Sequence, residues 1–179
     1  MSEISDRYRR LSDAFAAKVA AVPADGWDGA TPDDEWTVRD LVSHVAKTPS
    51  LFFGFIGKDA PDVPDDPAVG FPVAKAAMQA ALDDPATAQI EFDGFFGRTT
   101  LEQAVDRFVC FDLAIHGWDL AKAIGADTTI AEDDLAWLEA GAKQFGDAAR
   151  APGVFGPELP APAGADRQTK LLCFLGRQP

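Results

Sequence analysis

Basic residues, cysteines, histidines and long apolar runs are all scarce in this sequence, and each scarcity excludes something. Lys and Arg number 16 against 29 Asp and Glu, for a formal net charge of −13 over 179 residues. Nucleic-acid binding depends on cationic side chains that neutralise phosphates, so no nucleic-acid partner is expected. The same charge opposes attachment to an anionic membrane surface. No apolar run approaches the roughly 20 residues that span a bilayer. The opening "MSEISDRYRR" has no apolar signal core, so a cytoplasmic location is the expectation. The two cysteines, Cys110 and Cys173, lie far apart and outside any Cys-x-x-Cys pair. They make neither a disulfide framework nor a zinc knuckle, and a buried thiol is expected at each. No phosphate loop or dinucleotide fingerprint is present.

Helical patterning is what the chain has instead. Apolar residues make up 47% and charged residues 25%, an ordinary globular balance, and the length suits one domain over residues 1–179. Ile4, Tyr8, Leu11, Phe15, Val19 and Val22 recur at helical spacing, and Pro23 and Gly26 end the pattern. A second helix is predicted from Thr37, with Asp40 in the capping-box position and Val38, Leu41 and Val45 facing inward. Pro49 interrupts or kinks it before "SLFFGFIG". Residues 59–70 read as a polar loop and 71–84 as a short Ala-rich helix. The segment "AQIEFDGFFGRTT" reads as irregular or weakly extended.

The clearest element starts at Thr100, which forms a predicted capping box with Gln103. Leu101, Val105, Phe108, Asp112, Ile115 and Asp119 follow at alternating steps of four and three, up to a C-terminal signal at Gly125. Leu135, Leu138, Ala142, Phe145 and Ala149 mark one more helix. The tail, 152–179, is rich in Pro and Gly and closes on the apolar "KLLCFLGRQP", expected to pack on the body. With strand signals scarce, the expected class is all-α: a bundle of four main helices, up-and-down with one or two long connections.

Both histidines fall on helices, His44 in "EWTVRDLVSHV" and His116 in "FDLAIHGWDLA". Asp112 lies in the inward stripe, where an ionised carboxylate costs several kcal/mol, to order of magnitude, unless it is paired or coordinated. His116, four residues on, leaves the same helix face. With His44 from a facing helix, Asp112 and His116 would make a three-ligand metal site with an open position, as in catalytic zinc. Two imidazoles and a carboxylate also suit iron or nickel. Asp40 and Asp119 are candidates to orient the imidazoles from behind. Trp36 and Trp118 are candidate pocket walls, with packing as their other role. The same Asp-x-x-x-His spacing also serves simple hydrogen bonding in a helix.

The stretches "EWTVRDLVSHV", "FDLAIHGWDLAKAIG" and "KLLCFLGR" resemble metal-binding proteins related to the N-terminal domain of mycothiol-dependent maleylpyruvate isomerase, in the DinB-like superfamily. The resemblance implies a DinB-like four-helix bundle and a divalent metal, typically zinc, on His44, Asp112 and His116. The isomerase has glutamate at the position of Asp112, and a second domain for which no counterpart is expected here. A low-molecular-weight thiol such as mycothiol, with an electrophilic substrate, is the implied partner of a transferase or isomerase. A metal-dependent hydrolase using Asp119 or Asp40 as base and a metal-binding helical protein without catalysis are the alternatives. A homodimer is compatible with all three.

Overall fold

The stripe beginning at Ile4 forms helix α1, Glu3–Ala20, capped by the Ser2 side chain, which accepts from the Ser5 backbone N–H. In a computed structural model of the chain, residues 2–33, 35–146, 150 and 154–179 are described. Tyr8, Leu11, Phe15 and Val19 are buried as the spacing requires. Ser5 and Ser12 are buried among them, and hydrogen bonds make that tolerable. The Ser5 hydroxyl donates to Asp83 at 2.6 Å and that of Ser12 to the Arg9 carbonyl at 3.1 Å.

Helix α2, Val38–Phe55, has the predicted capping box in full. The Thr37 side chain accepts from the Asp40 N–H, and the Asp40 carboxylate accepts from the Thr37 N–H. Pro49 lies inside this helix and does not end it. A proline there removes one backbone donor. Just before it, the Thr48 hydroxyl donates to the His44 carbonyl at 2.9 Å, while Phe52 and Phe53, beyond the proline, are buried.

One expectation needs correction further on, and another is made definite. Helix α3 spans Pro67–Asp83, so residues 67–70 belong to it and not to the loop. The Asp66 side chain accepts from the Ala68 N–H with Pro67 in the first turn, an Asp-Pro start in which the proline initiates the helix. After the short helix α4, Pro85–Ala88, the segment read as irregular or weakly extended forms an antiparallel hairpin. Strand β1, Glu91–Gly94, pairs with β2, Gly97–Thr100, in the register Glu91–Thr100 to Gly94–Gly97. Gly97 takes a φ of 100°, open to glycine and strained for other residues. The architecture among the described residues is thus mainly helical with one small sheet.

From Leu101 to Ala123 the chain is helical throughout. Helix α5, Leu101–Ala104, runs into a π-helical stretch, Val105–Cys110, and then into helix α6, Phe111–Ala123. Thr100 accepts from the Gln103 N–H. The reciprocal half of the expected box is missing, because the Gln103 side-chain oxygen accepts from Thr99 instead. Gly125, with φ of 68°, follows the helix end as anticipated. Helix α1 packs on α3 and α6, and α2 packs on α3 and α6. These residues belong to a first compact unit, Met1–Asp127.

A second unit, Thr128–Pro179, is built around α7, Glu132–Gln144, and α8, Arg167–Phe174. Arg167 clamps Glu139 through two hydrogen bonds of 2.8 Å, and Gln168 bonds Thr128 and Ile130. Leu171, Leu172 and Leu175 are buried. Gly156 and Gly176 approach so closely that a Cβ on Gly176 would lie 2.8 Å from the Gly156 Cα. Ala149, assigned to the stripe of α7, is outside the described residues. No helix among the described residues is long and apolar enough to cross a membrane.

Candidate metal centre

The packing of α2 on α6 brings His44, Asp112 and His116 together, with one potential ligand atom of each within 4.8 Å of the others. His44 Nε2 lies 3.4 Å from Asp112 Oδ2, and the two imidazole rings meet edge to face at 5.2 Å. Donors on a tetrahedral zinc, with bonds of about 2.0–2.2 Å, sit roughly 3.4 Å apart. The His44–Asp112 distance matches that spacing, and the cluster could hold one small cation. The side chains of His44 and Asp112 are 36% and 32% exposed, whereas that of His116 is 11% exposed. One side of the cluster is open to solvent, and the other is embedded.

The embedded side is organised by Asp119. Its Oδ2 lies 3.0 Å from His116 Nδ1, and its side chain is 1% exposed. A proton on Nδ1 donated to this carboxylate leaves Nε2 as the ring's lone-pair donor, which is how a carboxylate fixes the tautomer of a ligating histidine. Asp40, the other candidate for such a role, is not placed to do it. Its exposed carboxylate is engaged by Thr37, whose hydroxyl and N–H hold its pKa below the usual aspartate range. Among the described residues it has no hydrogen bond to His44.

Burial falls on Asp119 and not on Asp112, which the helical stripe places inward. Asp112 was expected to need a partner because it would be buried, yet a third of it is in water. Asp119 is the buried acid, with His116 as a partner. The π-helical stretch ends immediately before α6, and its wider turn departs from the regular steps of four and three used to place Asp112 in the core stripe. Asp112 and His116, both beyond it, keep ordinary α-helical spacing and so remain on one face.

Of the two candidate pocket walls, the structure brings Trp36 to the cluster. Its ring centroid is 4.7 Å from that of His44 and 5.6 Å from that of His116. The loop holding it is tied down by Thr31, whose N–H and hydroxyl both donate to the Trp36 carbonyl, and by the Val38 N–H, which donates to Gly29. Trp118 is buried at 3% exposure, and among the described residues its indole N–H has no hydrogen-bond partner. Lys122 lies 5.3 Å from its ring centroid. Thr48 was not anticipated at the site; its hydroxyl is 3.5 Å from His44 Nε2, one turn along α2.

The remaining reactive groups are inert by placement. Cys110 and Cys173 are both free and buried, and burial, with a smaller contribution from Asp106, pushes the Cys110 thiol far above its ordinary pKa. No protein thiolate is available at neutral pH from Cys110.

The first unit is thus a mainly helical body with a partly exposed His–Asp–His cluster. The model of the mycothiol maleylpyruvate isomerase N-terminal domain family matches residues 8–92. The chain belongs to this family. It is also 31% identical over 175 residues to uncharacterized proteins of two Mycobacterium tuberculosis strains, CDC 1551 and H37Rv, covering 95% of this chain and 95% of each relative. No solved structure matches. The family match includes His44 and Trp36 but ends before Asp112 and His116, so the case for those two residues rests on the geometry of this chain.

Proposed function

We propose that the chain is a DinB-like four-helix bundle built on α1, α2, α3 and α5–α6, in which His44, Asp112 and His116 hold a divalent metal, zinc before nickel or iron. Its open side would take the thiol of a small cofactor of the mycothiol type for a transferase or isomerase reaction. The observation that carries the reading is the 3.4 Å contact between His44 Nε2 and Asp112 Oδ2, beside a His116 whose Nδ1 is held by Asp119. The donor set and its spacing fit zinc.

A bound zinc would lower the pKa of a coordinated thiol and so supply a thiolate at neutral pH. The residues of the chain then have separate roles. His44 and Asp112 form the solvent-facing part of the site, and their partial exposure admits a small molecule. His116 and Asp119 form the buried part, which keeps the imidazole in one orientation. Trp36 covers both rings and restricts the approach to one side. In the reaction the sulfur lone pair would form an S–C bond to an electron-poor C=C carbon, whose π pair shifts toward the conjugated carbonyl oxygen and takes up a proton from solvent, while the thiol proton passes to solvent. The family relation supports a thiol partner, and the buried Cys110 leaves that role to an external one.

The hydrolytic alternative is weakened by the same geometry. Of the two carboxylates considered as its base, Asp119 is buried against His116 and Asp40 is engaged in the α2 cap. A metal-binding protein without turnover shares the site and differs only in lacking the thiol. Elemental analysis of untagged wild type, His116→Ala and Asp112→Ala separates the readings. About one metal per chain in wild type, lost in both variants, supports the centre, and a thiolate-to-metal absorption band after cobalt loading and thiol addition supports the thiol. No metal after zinc reloading would leave the cluster a hydrogen-bonded helix pair.

A further inference from the structure

The hairpin tip carries two large apolar side chains where polar turn residues are usual. Phe95 and Phe96 lie between Gly94 and Gly97 and remain 60% and 48% exposed. Their rings are nevertheless ordered against others. Phe95 meets Phe55 and Phe108 edge-on at 5.5 Å, and Phe96 stacks on Phe108 at 6.0 Å and lies under Arg107, whose guanidinium carbon is 3.9 Å from the ring centroid. Phe108 in turn faces Phe52 at 5.9 Å. The result is an aromatic surface fixed from below and wet above, in a chain whose charge opposes contact with anionic membranes.

Between this surface and the candidate metal centre lie Thr48 and Phe108, each partly exposed, with Phe52 buried. On α2, His44, Thr48 and Phe52 follow one another at steps of four, and such residues share a helix face. On the other side Phe108 lies four residues before Asp112, a rise of about 6 Å. The helical stretches that carry the ligand cluster thus also carry Phe52 and Phe108, whose rings meet. Simple self-association would not require that arrangement.

We infer that Phe55, Phe95, Phe96 and Phe108 seat the flat, apolar or aryl body of the electrophilic substrate whose reacting carbon is presented at His44, Asp112 and His116. This rests on the metal–thiol reading above and adds to it a substrate class. The exposed Phe95 and Phe96 are specificity residues, and Arg107 is a positioning residue that holds Phe96.

Cobalt-loaded protein titrated with two thiols tests it. Butane-1-thiol offers only a sulfur and a short chain, whereas 4-phenylbutane-1-thiol adds a ring within reach of the platform and stands in for the thiol–substrate adduct. The thiolate-to-cobalt band is expected with both, with the phenyl compound binding at least about tenfold more tightly to wild type, given what burying an aryl ring is worth. In Phe95→Ala/Phe96→Ala that preference should fall below about twofold with cobalt content unchanged. A preference untouched by the double substitution overturns the inference and leaves the metal centre standing. So does a double variant that merely converts a dimer to a monomer, which would make the patch an interface between copies. Absence of cobalt, or of a band with either thiol, sinks the metal–thiol reading instead. The platform is then read on metal-free protein by saturation-transfer NMR with 4-phenylbutan-1-ol. Transfer to the ring protons in wild type and not in the double variant supports the aryl seat, and equal or no transfer overturns it.

Discussion

His116 and Asp119 are bound through Nδ1 and Oδ2 at 3.0 Å across one turn of α6, with the carboxylate almost wholly buried. This pair belongs to the embedded half of the cluster, whereas His44 and Asp112 are each about a third exposed. A buried acid in this position is tolerated because a donor meets it. The same donor bond sets which imidazole nitrogen faces Asp112 and His44.

Asp119→Ala is therefore expected to weaken metal binding by roughly 10–100-fold without removing any proposed ligand. Competition against a chelator of known affinity measures this. Asp119→Asn keeps an acceptor for the Nδ1 proton and should recover part of the loss. Equal affinity in wild type and Asp119→Ala would show that the carboxylate does not orient the ring.

Trp36 is close enough to both imidazoles to report on them. Zinc or cobalt loading should change the tryptophan emission of wild type, and Trp36→Phe should abolish most of the change while Trp27, Trp118 and Trp137 continue to emit. A response that survives Trp36→Phe would place the metal elsewhere.

The α2 cap positions His44 from below, since Thr37 and Asp40 fix the first turn of its helix. Thr37→Ala should cost about 1 kcal/mol in urea unfolding. The Asp40 carboxylate adds a pH dependence. Hydrogen bonds from the Thr37 hydroxyl and N–H, in that order of size, depress its folded pKa. Its stabilisation is then fully present above the unfolded value of about 3.9 and is lost as pH falls through the depressed one. The gap in urea midpoint between wild type and Asp40→Asn should be steady at neutral pH and close in acid.

Native protein should resist thiol-specific reagents, because both cysteines are buried and burial disfavours the Cys110 thiolate. Two thiols per chain should react on denaturation and essentially none before it. Rapid labelling of Cys110 in the native state would contradict its placement.

Local signals in the sequence determined much of the helical framework. The apolar stripe of α1, the Thr37–Asp40 box, the Thr100 cap and the stop at Gly125 all depend on interactions within one or two turns, and all appear in the structure. That His44, Asp112 and His116 could meet was also legible, because two imidazoles placed on helix faces leave few ways to combine them. Other features were not legible for an equally physical reason. The helical start at Pro67 was hidden in a proline-rich loop pattern, and the hairpin carries Phe95 and Phe96, not polar residues, at its tip. The π-helical stretch is compatible with an α-helical apolar pattern, so nothing local announced it. Which carboxylate is buried, Asp112 or Asp119, and how closely His44 approaches Asp112 depend on the packing of α2 against α6. Those contacts join residues far apart in sequence, and only the tertiary fold brings their side chains within reach of one ion.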